Sequence, residues 1–181
     1  MTRLVALVLF LLATTASADG VKYDRSAWPH WVTTGCQSTR TRVLIRDSQE
    51  TAQHRNPSDR CSTLAWGLWV DPYTGTISHN PAELDVDHRV PLGHVHEHGG
   101  AAWSTDRKRE YANDLRNRRH LVTTTSRANR QKGDRGPLGW LPDKGRCEYV
   151  KEWAVVKYLW SIEASDAERV KVRAVIEEEC S

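Results

Sequence analysis

The chain has 181 residues and carries 26 Lys and Arg against 23 Asp and Glu, a formal net charge of +3. So small an excess does not by itself point to nucleic acid. Between 107 and 135, however, "RKREYANDLRNRRH" and "RANRQKGDR" hold far more Arg and Lys than acid; a solvated helix surface explains that from charge alone, and phosphate attraction is the sharper alternative.

In chain order, Arg3, the uncharged apolar run 4–13 and Ala16-Ser17-Ala18 read as a secretory signal peptide expected over 1–18. A membrane span would need about 20 apolar residues, and no later stretch supplies them. The mature product, 19–181, loses one Arg and no acid, so its charge is 26 − 1 − 23 = +2. It is expected to be one soluble, exported domain, extracellular or periplasmic, with eight tryptophans supplying much of the core. Cys36, Cys61, Cys147 and Cys180 all follow the leader, and an even count in an exported chain reads as two disulfides. Of three connectivities, Cys36–Cys61 with Cys147–Cys180 is preferred because each closes a local unit. No paired C-x-x-C spacing supports a cysteine zinc site.

A helix is expected over 39–52, capped by Ser38 or Thr39. "STLAWGLWVDPYTGTISHN" (62–80) reads as a β-hairpin turning at Asp71-Pro72-Tyr73-Thr74-Gly75. "ELDVDHRV" (83–90) is a strand that Pro91 ends. "GHVHEHGG" (93–100) reads as a glycine-bounded loop. If extended, it would turn His94, His96 and His98 to one face that could hold Zn²⁺ or Cu²⁺. A helix over 103–117 is capped by Ser104 or Thr105, "HLVTTT" (120–125) is a strand, and Ser126 caps a short helix that Gly133 stops. From 147 to 160, Tyr149, Trp153, Val156 and Trp160 make one apolar helical stripe. Ser165-x-x-Glu168 is a capping box opening a last helix, so Cys147–Cys180 would staple a helical hairpin.

Without the insertion at 92–119, a strand with Asp87-His88, a strand over 120–125 and a short helix with Asn129 remain. That ββα order brings together a carboxylate, an imidazole and an amide oxygen. A hard divalent cation takes oxygen ligands, so Asp87 and Asn129 suit Mg²⁺ and would let it neutralise charge on a scissile phosphate. An imidazole with a pKa of about 6.5 can take a proton from water at neutral pH, which makes His88 the candidate base. Neighbours on a regular strand face opposite ways, so sharing one site requires the strand to end or bulge there. Lys132, three residues beyond Asn129, lies on the same helix side and can approach the phosphate. Arg130 points roughly 100° away, toward a salt bridge or a flanking phosphate.

"DVDHRVPL" with "ANRQKGDRGPLGWLP" resembles the HNH, or ββα-metal, endonucleases, including the HNH domain of CRISPR effector nucleases. The chain is most similar to secreted HNH nucleases related to the C-terminal nuclease domain of GmrSD-type restriction enzymes. "YDRSAWPHW", "TRTRVLIRDS", "GLWVDPYTG" and "YANDL" add to that likeness, which runs from about Tyr23 to Cys180. The resemblance implies a single α+β HNH nuclease domain over 19–181. Its ββα-metal core would carry an N-terminal helix and hairpin and a disulfide-stapled C-terminal helical hairpin. It implies His88 as general base, Asp87 and Asn129 as metal ligands with Asp85 in support, and Asn113 as the residue that orients the base-bearing loop. Arg130, Lys132 and Arg89 would hold substrate phosphates. One divalent metal is implied, Mg²⁺ before Mn²⁺ and both before Zn²⁺, in a non-specific monomeric nuclease that takes DNA rather than RNA and no membrane partner. The histidine-rich "GHVHEHGG" departs from the family pattern, and the rival reading is an exported Zn²⁺- or Cu²⁺-binding module without catalysis.

Overall fold

The computed structural model describes residues 22–180; the signal peptide expected over 1–18 lies outside them. The described chain is mixed α+β, with four two-stranded antiparallel sheets and six α-helices. Among the described residues no helix is long and apolar enough to cross a membrane.

β1 (Thr33–Thr34) and β2 (Gln37–Ser38) form a tight hairpin leading into α1 (Thr39–Asp47). Ser38 caps α1, its hydroxyl accepting from the Thr41 amide at 3.1 Å. The helix stops at Asp47 instead of 52 because the chain there turns to Leu68: Gln49 N–H donates to the Leu68 carbonyl at 2.7 Å. Gln53–His54, β3, then pairs with Leu64–Trp66, β4, which divides the hairpin expected over 62–80. Only β5 (Trp69–Val70) and β6 (Ile77–Ser78) close around the Asp71 turn. Gly67 makes the break: a Cβ there would lie 2.4 Å from the Trp69 ring, which folds beneath it and donates Nε1–H to the Leu44 carbonyl at 2.8 Å.

β7 (Leu84–His88) pairs with β8 (Leu121–Thr125) in unbroken register, from Leu84 opposite Thr125 to His88 opposite Leu121. Between them lie α2 (Leu92–Glu97) and α3 (Thr105–Ala112). The expected loop at 93–100 is therefore largely helix: Leu92 and Val95, three apart, both bury, and Val95 N–H reaches the Pro91 carbonyl at 2.9 Å. Ser104 caps α3, which ends at Ala112, not 117, with Asn113 leaving the helix to bind distant backbone. β8 runs straight into α4 (Ser126–Lys132), whose cap is Thr125, since Ser126 is already helical. Gly133, at φ +56°, ends it.

α5 (Arg146–Trp160) and α6 (Asp166–Glu179) form the C-terminal helical hairpin, joined end to end by Cys147–Cys180. Cys36–Cys61 ties the β1–β2 turn to the segment before β4, so both expected pairings are present. Ser165 caps α6, but the capping box stays half-closed, because the Glu168 side chain turns inward to Trp153 and Lys157.

Two apolar cores flank the β7–β8 hairpin. One joins Val43 and Leu44 to Trp69, Leu84, Val86 and Leu121; the other gathers the predicted stripe Tyr149, Trp153, Val156 and Trp160 with Trp28 and Tyr111. Strand alternation directs Leu84 and Val86 toward α1, and Asp85 and Asp87 toward α4.

Candidate active site

Among the described residues the β7–β8 sheet has two strands, so one edge of β7 has no strand paired to it. A cleft of about 210 Å³ runs along it, lined by Val86, Asp87 and His88 of β7, Pro91 and Leu92 beyond it, Asn129 of α4, Gly133 and Asp134, and Arg25. Asp87 and His88 thus share a site without a bulge. The strand ends at His88, and side chains of both faces border its open edge.

His88 is 5% exposed and lies parallel to the Trp31 indole, centroids 5.2 Å apart and planes within 8°. Its Nε2 is 3.0 Å from the Ala112 carbonyl, which can only accept, so the proton of the neutral ring sits on Nε2. Nδ1 is then the basic nitrogen, and it has no hydrogen-bond partner among the described residues. Burial, followed by the nearby His120 ring, pushes the His88 pKa well below 6.5, outweighing the Ala112 carbonyl. The imidazole is a neutral proton acceptor.

Asn113 positions that arrangement. Its Oδ1 accepts from Val32 N–H and the Thr39 hydroxyl, both at 2.9 Å, and its Nδ2 donates to the Pro29 carbonyl at 2.8 Å. These bonds fasten the segment bearing Trp31 to the end of α3, beside the Ala112 carbonyl that fixes His88. Asn113 reaches the cleft only through these neighbours.

Asp87 Oδ1 accepts from Lys132 Nζ at 2.9 Å and Oδ2 from the Tyr73 hydroxyl at 2.7 Å. Lys132 also donates to the His88 carbonyl at 2.9 Å and is fully buried. The expectation that Lys132 holds substrate phosphate is therefore corrected: its ammonium is spent inside the protein, clamping the Asp87-His88 pair. Arg89 is corrected likewise. It is 5% exposed, ion-paired with Glu152, and its guanidinium lies 5.2 Å from the Tyr73 ring centroid. Arg130 is exposed on α4 and remains available.

Asn129 Nδ2 donates to Asp85 Oδ2 at 3.0 Å. That bond fixes the amide, leaving Oδ1 as its free acceptor. Asp85 does not line the cleft; it orients a residue that does. A carboxylate has about four lone-pair sites, and Lys132 and Tyr73 use two of those on Asp87. Asp87 and the Asn129 amide oxygen therefore make a hard oxygen donor set that fits Mg²⁺ or Mn²⁺ better than Zn²⁺.

The chain is 32% identical over 157 residues to an uncharacterized secreted protein of Arthroderma benhamiae, covering 85% of this chain and 74% of that one. The chain belongs to that protein's family. No family model and no solved structure matches it. The protein is secreted, and its two disulfides suit an oxidising compartment.

In this secreted family member the three tract histidines part company. Because the segment is helical, His94 and His98 stack on one side, centroids 3.9 Å apart, while His96 packs edge-on against Tyr23. The expected single face of His94, His96 and His98 is thus corrected. His94, His98 and Glu168 bring potential ligand atoms within 4.8 Å of one another. A cation already sits among them: Lys157 Nζ is 2.9 Å from Glu168 Oε2 and 3.2 Å from His94 Nε2. Burial alone would raise the Glu168 carboxyl, but His94, Trp153 and Lys157 around it hold it down to about 2. The cluster ties α2 to α5 and α6, and Lys157 competes with any metal there.

A larger cleft, about 920 Å³, lies beside α3 and the end of α5, with Arg107, Glu110, Arg116 and Trp160 in its wall. Arg116 is paired there with Asp114 and Glu110, and the cleft contains neither the imidazole nor the amide of the β7 edge. The sequence reading missed Tyr73, Trp31, Arg25 and Asp134. Tyr73 reads as a turn residue, and its reach to Asp87 is a tertiary event. Asp134 packs against Gly93, where a Cβ would come within 2.6–2.8 Å of its carboxylate and push that side chain aside.

Proposed function

We propose that this secreted protein is a divalent-metal-dependent endonuclease with a ββα-metal, or HNH, active site formed by β7, β8 and α4. The observation that carries the reading is the cleft at the open β7 edge, where a neutral, Nε2-protonated His88 stands beside Asp87 and Asn129. Three features support it: a proton acceptor with its basic nitrogen unbonded, two hard oxygen donors, and the order strand, strand, helix that the HNH resemblance implies.

His88 Nδ1 takes the proton of the attacking water, and Nε2–H keeps its bond to Ala112 throughout, so the imidazolium that forms is stabilised at once. A divalent cation held by Asp87 and Asn129 would neutralise charge on the scissile phosphate and the departing oxygen. Tyr73 and Lys132 hold the Asp87 carboxylate in one orientation, and Asp85 does the same for the Asn129 amide. Arg130 serves a flanking phosphate. Among the described residues the cleft presents no base-reading element, which supports a non-specific nuclease; the monomeric state and the preference for DNA over RNA follow from the HNH resemblance alone.

The test is plasmid nicking by oxidised 19–181 with Mg²⁺, Mn²⁺ or EDTA, beside His88→Ala of equal thermal midpoint. Metal-dependent nicking that His88→Ala abolishes is expected. Absence of nicking by the wild-type protein with every metal sinks the reading.

A further inference from the structure

A phosphodiester entering the β7-edge cleft needs a cation from the protein, and two of the three that the sequence offers are unavailable. Lys132 is locked on Asp87 and the His88 carbonyl, and Arg89 on Glu152 beneath two tyrosine rings. The third, Arg130, does not line the cleft. Arg25 does line it, beside Asp87, His88 and Asn129. Its side chain is exposed and takes part in no salt bridge among the described residues.

The backbone under Arg25 is well held. Arg25–Ala27 is a 3₁₀ turn capped by Asp24, whose carboxylate accepts from the Ser26 amide at 2.8 Å and hydroxyl at 2.7 Å. Trp28 N–H then donates to the Arg25 carbonyl at 3.1 Å, and the Trp28 ring is fully buried against Trp103 and Tyr111. Asn113 pins the following residues through the Pro29 carbonyl and the Val32 amide. The guanidinium therefore projects from a fixed turn, with the Tyr23 hydroxyl beside it and the Asp134 carboxylate in the same cleft lining.

We propose that Arg25 is the phosphate-binding cation of this cleft, its guanidinium fork taking the non-bridging oxygens of a nucleic-acid phosphodiester beside His88. The planar fork matches two phosphate oxygens at once, which a lysine ammonium cannot do. The inference rests on the nuclease reading and adds a residue outside the ββα unit, so the N-terminal segment completes the substrate site.

Two measurements separate the two ideas. In EDTA, where the proposed nuclease does not cut, the affinity of a fluorescent DNA duplex is measured against salt for the wild type, Arg25→Gln and Arg25→Lys. With Mg²⁺, nicking is measured for the same proteins at matched thermal midpoints. Arg25→Gln is expected to weaken binding about tenfold and to lower the slope of log K against log salt by about one. Arg25→Lys should restore the slope while recovering only part of the affinity, because the charge returns without the fork. In the nicking assay Arg25→Gln should lower kcat/KM by a comparable factor. If the wild type nicks and His88→Ala does not, but Arg25→Gln leaves the slope and kcat/KM unchanged, the nuclease stands and the assignment of Arg25 falls. If the wild type neither binds DNA nor nicks it, both fall together.

Discussion

His88 and Ala112 lie 24 residues apart, and the Nε2 of the one donates to the carbonyl of the other at 3.0 Å. A carbonyl has no proton to give, so this one contact selects the tautomer and leaves Nδ1 basic. Burial first, then the positive groups around the ring, keep its pKa well below 6.5. The proposed base should therefore stay unprotonated where an ordinary imidazole is half charged. Nicking kcat/KM is expected to hold its plateau below pH 6.5 and to fall only at more acid pH; an acid limb centred at or above 6.5 would contradict this.

Stability should depend on acid for the same reason. His88, His94 and His120 are all depressed in the folded protein, chiefly by burial, His120 to about 4. In the unfolded chain each titrates at about 6.5, so between pH 6.5 and about 4 the unfolded state binds more protons than the folded state. The stabilisation is present above pH 6.5 and is lost as the pH falls through that window. His120 alone corresponds to about 3 kcal/mol across it. Urea unfolding at pH 7.0, 5.5 and 4.5 should show the decline, and a flat profile would count against buried neutral histidines.

Lys132 sits on Asp87 with no exposed surface. Lys132→Met would leave a buried carboxylate with only the Tyr73 hydroxyl for company. Loss of one partner from a buried pair costs about 3–5 kcal/mol, so a large drop in the urea midpoint is expected. A free, substrate-facing lysine would instead lose activity at unchanged stability, which makes the pair of measurements decisive.

In the proposed site Asp85 works through Asn129, whose amide it holds. Asp85→Ala removes the acceptor that holds the amide at 3.0 Å, and loss of such a support costs on the order of 10–100-fold in metal affinity or activity. Nicking measured against Mg²⁺ concentration should show a raised metal requirement, with Asp85→Asn closer to wild type because it keeps an acceptor oxygen. Equal metal curves for all three proteins would remove Asp85 from the site.

The disulfide Cys147–Cys180 closes a separation of 33 residues around α5 and α6. By chain entropy such a loop stabilises by about 3–4 kcal/mol. The double variant Cys147→Ser/Cys180→Ser should unfold correspondingly earlier in urea, with nicking retained at low temperature because the β7 edge lies outside the loop.

Much of the molecule is legible in the residues by themselves. The alternation of "LDVDH", the β-branched "LVTTT", the cap-and-glycine punctuation of the short helix and the apolar stripe from Tyr149 to Trp160 are local signals, and local sterics and hydrogen bonds decide them. Both disulfides follow because pairing the nearer cysteines closes compact units. Where two segments compete for one backbone partner, that locality fails. Leu64–Trp66 leaves its expected hairpin for Gln53–His54, and α1 stops early because Gln49 finds Leu68.

Local sequence carries the strand–strand–helix order of β7, β8 and α4, the C-terminal helical hairpin, the exported and disulfide-bonded character, and which residue types can do chemistry. The tertiary structure alone decided which of them are free to do it. Lys132, Arg89 and Arg130 look alike as letters, yet Asp87 and Glu152 claim the first two, and Arg25, from the far N-terminal side, faces the cleft. The histidine tract likewise divides between Tyr23 and the Lys157–Glu168 pair once its backbone coils into a helix. The reason is physical: burial and electrostatic pairing depend on distance in space, and residues remote in the chain set that distance.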